Sequence, residues 1–298
     1  LLGTSALVCL ALAAPVMADD FVITSSDGST NGVGTTNGGT AAAIAADAIN
    51  GSDTVSLGIA LTTTGTDAGI KTNNNDTEAQ GNTVTVTGTG SITTGTGNNA
   101  YGIFNDGAYN TTTVSGSITT TGKASYGILN YGDSNTTTVS GSITTEEDNA
   151  YGIYNLGASN ETTISGSIET EGNNGFGIWN VGNYNETTIS GSIKTAGDIA
   201  DGIANWGNNN TTTVSGSITT TGKASYGILN YGNNNTTTVS GTVKATGTQS
   251  PALYNFSGSG NSFTLNEGAT IIGDILARDG TTNSKLIFNL GASTSYAY

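Results

Sequence analysis

The stretch Tyr101-Gly-Ile-Phe-Asn105, followed by Asn110-Thr-Thr-Thr-Val-Ser-Gly-Ser-Ile118, carries the clearest structural signal in the chain. The first block or a variant of it recurs every 25 residues, in seven copies that start at positions 101, 126, 151, 176, 201, 226 and 251. The second block travels with it, starting at 110, 135, 160, 185, 210 and 235. A fixed period without insertion indicates a repeat architecture, in which each unit contacts only its neighbours.

The repeat unit predicts β-strands and turns rather than helices. Thr112, Val114, Gly116 and Ile118 share one parity, which is the alternation of a half-buried strand. Asn, Gly and Ser punctuate the segments between these runs. A helix pair needs about 33 residues or more, so a 25-residue unit is too short. The sequence therefore predicts an all-β fold, a parallel β-solenoid (β-helix) built from 25-residue coils that stack about 4.8 Å apart.

Stacking would place each residue over its counterpart 25 positions later and so produce columns of identical side chains. The isoleucines at 103, 128 and 153 and their later copies would form one buried column, and positions 114 and 118 two more. A column of asparagines is predicted to form a hydrogen-bonded structural ladder: Asn105, Asn130, Asn155, Asn180, Asn205, Asn230 and Asn255. The alternative is a ligand-binding column.

The pattern divides the chain into four regions. Residues 1–18 are expected to be a secretory signal peptide whose start is missing, because Leu1–Ala14 is apolar and Val16-x-Ala18 has the form of a cleavage site. Residues 19–97 are expected to form irregular N-terminal coils or a cap, because the period breaks there. Regular coils are predicted over 98–258, and irregular C-terminal coils over 259–298.

Composition excludes several classes of function. The chain has 298 residues, of which 45 are Gly, 54 Thr and 34 Asn, and its net charge is −15 with seven Lys and Arg. Such a chain lacks the basic surface that nucleic acids and anionic membranes require. It has no His and one Cys, Cys9, which excludes His-dependent catalysis, His-ligated metals and a disulfide framework. We expect no catalytic residue, cofactor or metal.

The repeat units, with the closing stretches Gly273-Asp-Ile-Leu-Ala277 and Ser284-Lys-Leu-Ile-Phe-Asn-Leu290, resemble the passenger region of bacterial autotransporters, which use type V secretion. The resemblance implies a right-handed β-helix that is exported and displayed at the bacterial surface, acting as an adhesin or a surface-structural protein. It also implies outer-membrane anchoring through a C-terminal barrel that this sequence does not contain, so we expect the chain to be a fragment.

Two other functions remain as alternatives. The hydroxyl columns at Thr113, Ser115 and Ser117 would suit an ice-binding solenoid. A carbohydrate-active β-helix enzyme needs only paired carboxylates. However, the carboxylates of the repeats, Asp201 among them, follow no metal-loop spacing and are expected to be solvated. The Asn-x-Thr sequons at Asn110 and its copies follow from the repeat itself.

Two aromatic-rich columns, which start at Phe104 and Asp106, should point outward if Ile103 points inward. The candidate surface-binding residues are Tyr154, Trp179, Trp206 and Tyr231. The alternative is that the chain turns a corner at 104–106 and buries one of the columns. The expected partner is a surface protein of a host or neighbouring cell, a neutral glycan, or a second copy of the chain.

Overall fold

The computed structural model describes residues 20–23, 54–63, 65–66, 68–73, 81–289 and 291. These residues form 29 β-strands, and none of them belongs to a helix that is long and apolar enough to cross a membrane. The predicted all-β parallel solenoid is confirmed. The expected signal peptide at 1–18 lies outside the described residues.

The strands form three parallel sheets that wrap around one core. Sheet A contains β1 (Asp20–Ile23), β2 (Thr54–Leu57), β5 (Thr83–Val86), β8 (Thr111–Val114), β11 (Thr136–Val139), β14 (Glu161–Ile164), β17 (Glu186–Ile189), β20 (Thr211–Val214), β23 (Thr236–Val239), β26 (Ser262–Asn266) and β29 (Lys285–Asn289). Sheet B contains β4 (Ile70–Asn73), β7 (Ile103–Asp106), β10 (Ile128–Tyr131), β13 (Ile153–Leu156), β16 (Ile178–Val181), β19 (Ile203–Trp206), β22 (Ile228–Tyr231), β25 (Leu253–Ser257) and β28 (Ile275–Ala277). Sheet C contains β3 (Ala60–Thr62), β6 (Ser91–Thr93), β9 (Ser117–Thr120), β12 (Ser142–Thr145), β15 (Ser167–Thr170), β18 (Ser192–Thr195), β21 (Ser217–Thr220), β24 (Thr242–Ala245) and β27 (Thr270–Ile272).

Each coil contributes one strand to sheet B, then one to sheet A, then one to sheet C. In the regular part every residue pairs with its counterpart 25 positions later, as Ile128 does with Ile153. The register departs from 25 outside this part, where Ile70 pairs with Ile103 and Thr236 with Ser262. A β-bulge after Asn255 takes up the extra residue, because Tyr231 pairs with Ser257.

The core is half apolar and half polar. Three aliphatic columns fill it, one from each sheet, and they include the fully buried Ile103, Val114 and Ile118. The other inward positions are polar and equally buried, as Asn105 and Thr112 show. Three aliphatic side chains per coil cannot form a core alone, so each coil depends on the coils above and below it.

Close stacking and turn conformation require glycine at different positions. Gly116 does not have a positive φ, and a Cβ there would lie 1.9 Å from the carbonyl oxygen of Gly90 in the preceding coil. The positive φ belongs to the turn between sheets B and A, at Gly107 and its copies, where φ lies between 127° and 159°. Only glycine adopts that conformation readily.

Candidate functional site

The seven predicted asparagines lie together in the core and form a single hydrogen-bonded ladder. The side-chain nitrogen of each one donates to the side-chain oxygen of the next, from Asn105 to Asn255, at 2.7–3.1 Å. The same nitrogen of Asn105 also donates to the hydroxyl of Thr112 at 2.9 Å. All seven side chains are at most 2% exposed. The column therefore joins coils, and it is closed to ligands in this conformation.

A second asparagine ladder, which the sequence interpretation missed, lies at the turn between sheets B and A. The side-chain oxygen of Asn135 accepts from the backbone N–H of Asn110 at 2.8 Å, and the arrangement continues to Asn261. The side-chain nitrogen of Asn135 donates to the carbonyl of Gly107 at 3.0 Å. All of these buried asparagines except Asn261 are sequon residues, so the fold encloses the atoms that glycosylation would modify. The recurrence of these asparagines about every 25 residues is the sequence signal from which this ladder could have been predicted.

The outer side of sheet B carries a continuous row of aromatic rings, which we call the aromatic ribbon. Besides columns 104 and 106 it contains column 101, which starts at Tyr101 and which the sequence interpretation left out. Rings of column 101 stack on one another, with centroids 4.6 Å apart for Tyr126 and Tyr151. Rings of column 104 meet them edge to face, as Trp179 meets Phe176 at 5.3 Å and 82°. The ribbon comprises Tyr101, Phe104, Tyr126, Tyr151, Tyr154, Phe176, Trp179, Trp206, Tyr226, Tyr231, Tyr254 and Phe256.

Only part of this surface is open to solvent. Tyr131, Trp206 and Tyr231, all of column 106, are 53%, 41% and 42% exposed. Tyr154 and Trp179 are half-buried against the rings of column 101, so the four candidate residues differ in their exposure to solvent. Column 106 is thus the exposed column and column 104 the covered one, without a corner at 104–106, because both lie on one strand.

Trp206 and Tyr231 form the central part of an exposed platform. Their rings stack at 5.2 Å and 26°, and Tyr231 stacks on Phe256 at 5.5 Å and 24°. The edge of Trp206 meets Trp179 at 5.3 Å and 83°, which holds its ring in place. Three offset rings on neighbouring strands offer a rigid contact surface that loses little conformational entropy on binding.

The coil that contains β19 departs from the aromatic pattern. In this coil, Asp201 occupies column 101 in place of an aromatic ring, and the small residue Ala204 occupies column 104. Asp201 is 3% exposed, so the expectation that this carboxylate is solvated is wrong; its Oδ1 accepts from the N–H of Tyr226 at 2.7 Å. Burial raises the pKa of Asp201 to about 8, an effect that this hydrogen bond only partly opposes. The carboxyl is therefore mainly protonated at neutral pH.

Both ends of the aromatic ribbon are covered by a cation. Lys71 pairs in register with Phe104, and its Nζ lies 4.8 Å from the centroid of that ring. The guanidinium of Arg278 lies 4.5 Å from the ring centroid of Phe256. Lys71 also forms an ion pair with Asp106 at 3.1 Å. In both cases the cation lies where the next ring of the row would be.

Five tyrosines of the ribbon have pKa values raised above the ordinary value for tyrosine. Burial raises the pKa of Tyr151 to about 12, and the neighbouring Tyr154 adds to the effect. Burial likewise raises the pKa values of Tyr101, Tyr126 and Tyr226. The phenolate form of these five tyrosines is therefore disfavoured, and their rings are uncharged at neutral pH.

The hydroxyl columns lie on a different side of the molecule. Thr113 points outward from sheet A, and Ser115 and Ser117 flank the corner between sheets A and C, where the hydroxyl of Ser140 donates to that of Ser115 at 3.2 Å. Glu161 and Glu186 are exposed on sheet A and pair in register, so two charges interrupt the column beside Thr113. This surface is not a uniform hydroxyl array.

Among the described residues, no cluster of three or more Cys, Asp or Glu side chains could hold a metal ion. Comparison with protein-family models, curated proteins and solved structures finds no match to this chain.

Proposed function

We propose that the chain is the passenger part of an autotransporter, displayed at a bacterial surface, and that it acts as an adhesin through the exposed rings of sheet B. The solenoid serves as a rigid support that holds the binding surface away from the cell. The observation that carries this proposal is the stacked, exposed pair of rings Trp206 and Tyr231, because large exposed aromatic surface on a rigid sheet is typical of contact sites.

The repeat itself supports a role in display. Coils that stack in constant register give a long, stiff body whose length scales with the number of coils. Export is expected from the signal peptide predicted at residues 1–18. A chain with a net charge of −15 and few apolar residues per coil suits an extracellular setting, because its surface resists non-specific association.

The experiment compares the full chain with the double variant Trp206→Leu, Tyr231→Leu. Beads coated with each protein are incubated with cultured animal cells and with bacterial cells, and the attached beads are counted. We expect the double variant to reduce attachment several-fold, because aromatic contacts supply much of the binding energy at such sites. Its melting temperature should stay close to that of the parent chain, because both rings are about two-fifths exposed.

The matched control is Tyr184→Leu, which removes a 63% exposed ring from the turn before β17, away from the aromatic ribbon. It should attach as the parent chain does. Equal attachment of all three proteins would exclude the aromatic ribbon as the adhesive surface.

A further inference from the structure

We infer that the exposed platform of the aromatic ribbon binds cationic side chains, arginine above all, from a basic segment of a partner protein. This inference rests on the proposed function, because it assigns a partner class to the same surface.

The first support is that the ribbon already binds cations of its own chain. Lys71 at one end and Arg278 at the other each lie within 4.8 Å of the centroid of the terminal ring. A cation over an aromatic ring is attracted by the negative face of the π-system. A positively charged side chain thus contacts the last ring at each end of the ribbon.

The second support is that the central rings lack such a partner. Column 106 reads Asp106, Tyr131, Leu156, Val181, Trp206, Tyr231 and Phe256, with no cation before Arg278. Trp206 and Tyr231 are more than 40% exposed and stack towards Phe256, the ring that Arg278 covers. The guanidinium of a partner therefore has an open surface to occupy on Trp206 and Tyr231, next to the ring that Arg278 covers.

Charge favours the same partner. The chain has a net charge of −15, which attracts basic segments and repels acidic ones over distances of about a Debye length. Arginine fits better than lysine, because its planar guanidinium stacks on aromatic rings and is more weakly hydrated.

The polar groups next to the platform argue against a glycan. A sugar needs hydrogen-bonding groups beside the ring on which it stacks. The nearest amides along the chain that lie outside the core are those of Asn208 and Asn233, two residues beyond Trp206 and Tyr231. The side-chain oxygen of Asn208 accepts from both nitrogens of Asn233, and that of Asn233 accepts from the N–H of Ser259. These groups are already engaged between coils.

The test measures binding of the full chain by calorimetry at about 0.15 M salt. The probes are a hexa-arginine peptide, a hexa-lysine peptide, a hexa-glutamate peptide and a neutral glucose hexasaccharide. We expect the arginine peptide to bind most tightly, the lysine peptide more weakly, and the other two not at all. The double variant Trp206→Leu, Tyr231→Leu keeps the charge of the chain and should bind the arginine peptide about tenfold more weakly. Tyr184→Leu should bind it as the parent chain does.

Three results would count against the inference, and they are distinguishable. Equal binding of the arginine peptide by the parent chain and the double variant would mean that net charge alone attracts it. Equal binding of the two basic peptides would exclude guanidinium stacking. Tighter binding of the hexasaccharide, lost in the double variant, would overturn the partner class but keep the proposed function. The proposed function itself fails only if the double variant attaches to cells as well as the parent chain does.

Discussion

The side chain of Asn180 belongs to an uninterrupted chain of buried amides, and its removal should be costly. Its nitrogen donates to Asn205 at 2.9 Å and to the hydroxyl of Thr187 at 3.1 Å, and its oxygen accepts from Asn155 at 2.8 Å. We expect Asn180→Ala to lower the free energy of unfolding by about 1–3 kcal/mol, because it leaves buried polar groups without partners. Urea denaturation measures the change.

The control for this change is Thr188→Ala, which alters an outward-facing residue of β17. It should change stability by about 0.5 kcal/mol or less, as surface substitutions usually do. Similar losses for the two variants would show that the ladder contributes no more than an outward threonine does.

The buried carboxyl of Asp201 makes stability depend on pH. In the unfolded chain an aspartate ionises near pH 4, whereas the pKa of Asp201 in the folded chain is about 8. Between these values the folded state holds a proton that the unfolded state has lost, so the free energy of unfolding falls as the pH rises, by up to about 1.4 kcal/mol per pH unit. This stabilisation is complete below about pH 4 and lost above about pH 8.

Denaturation of the parent chain and of Asp201→Asn between pH 5 and 8 tests this dependence. The variant should lose the downward slope, because an amide does not titrate. Asp198→Asn changes an exposed neighbour that accepts from the N–H of Lys223, and it should keep the slope. A parent chain whose stability does not change over this range would show that Asp201 is ionised in the folded state.

Substitution of two glycines at the corners between sheets A and C should have different effects on stability. A Cβ at Gly141 would lie 1.8 Å from the carbonyl oxygen of Gly116, whereas a Cβ at Gly88 meets nothing within 4 Å. We expect Gly141→Ala to cost about 1–3 kcal/mol or more, because β11 and β12 must shift away from the preceding coil. Gly88→Ala should be tolerated. Melting temperatures that fall equally in the two variants would contradict close stacking at this corner.

At the level of strands, the sequence is sufficient to predict the register and the inward-facing residues wherever one side chain repeats at a fixed step. The alternation of Thr112 and Val114 predicts which residues of β8 face the core, and the structure buries both. The spacing of 33 residues between Gly69-Ile70 and Gly102-Ile103 was visible as an irregular step, and Ile70 does pair with Ile103. Register and alternation are local properties, and a repeating sequence shows the same pattern in every repeat.

The candidate site could be predicted only in part, because it depends on how side chains tilt. Parity places columns 104 and 106 on the same side of sheet B, but it does not reveal that the rings of column 101 lean over Trp179 and leave Trp206 open. The burial of Asp201 follows from its place in that column, whereas composition alone suggests that a carboxylate is solvated. Such contacts form between coils and have no signature within a single repeat.

The whole molecule should tolerate removal of complete coils. Residues 110–132 and 210–232 are identical in sequence and lie 100 positions apart, which is four coils. Deleting residues 111–210 joins Asn110 to Thr211 and restores the natural sequence around the junction. We expect a folded, strand-rich protein without helix, shorter by about 19 Å and less stable than the parent chain, because stability grows with the number of neighbouring coils. Far-UV circular dichroism and small-angle X-ray scattering measure both properties.

A deletion out of phase is the matched control. Removing residues 111–198 takes away 12 fewer residues than four coils and places aliphatic positions opposite turns. This protein should fail to fold or should aggregate, because a shift of register exposes the apolar columns. If both deletions folded equally well, the constant register would not be needed for stability.

The constant register has a genetic consequence. The two identical 23-residue tracts start 100 positions apart in the chain, which is a whole number of coils. Recombination between them removes or duplicates 100 codons and leaves the reading frame, the junction and the stacking intact. Selection can therefore lengthen or shorten the solenoid in steps of about 19 Å, without first having to repair the fold.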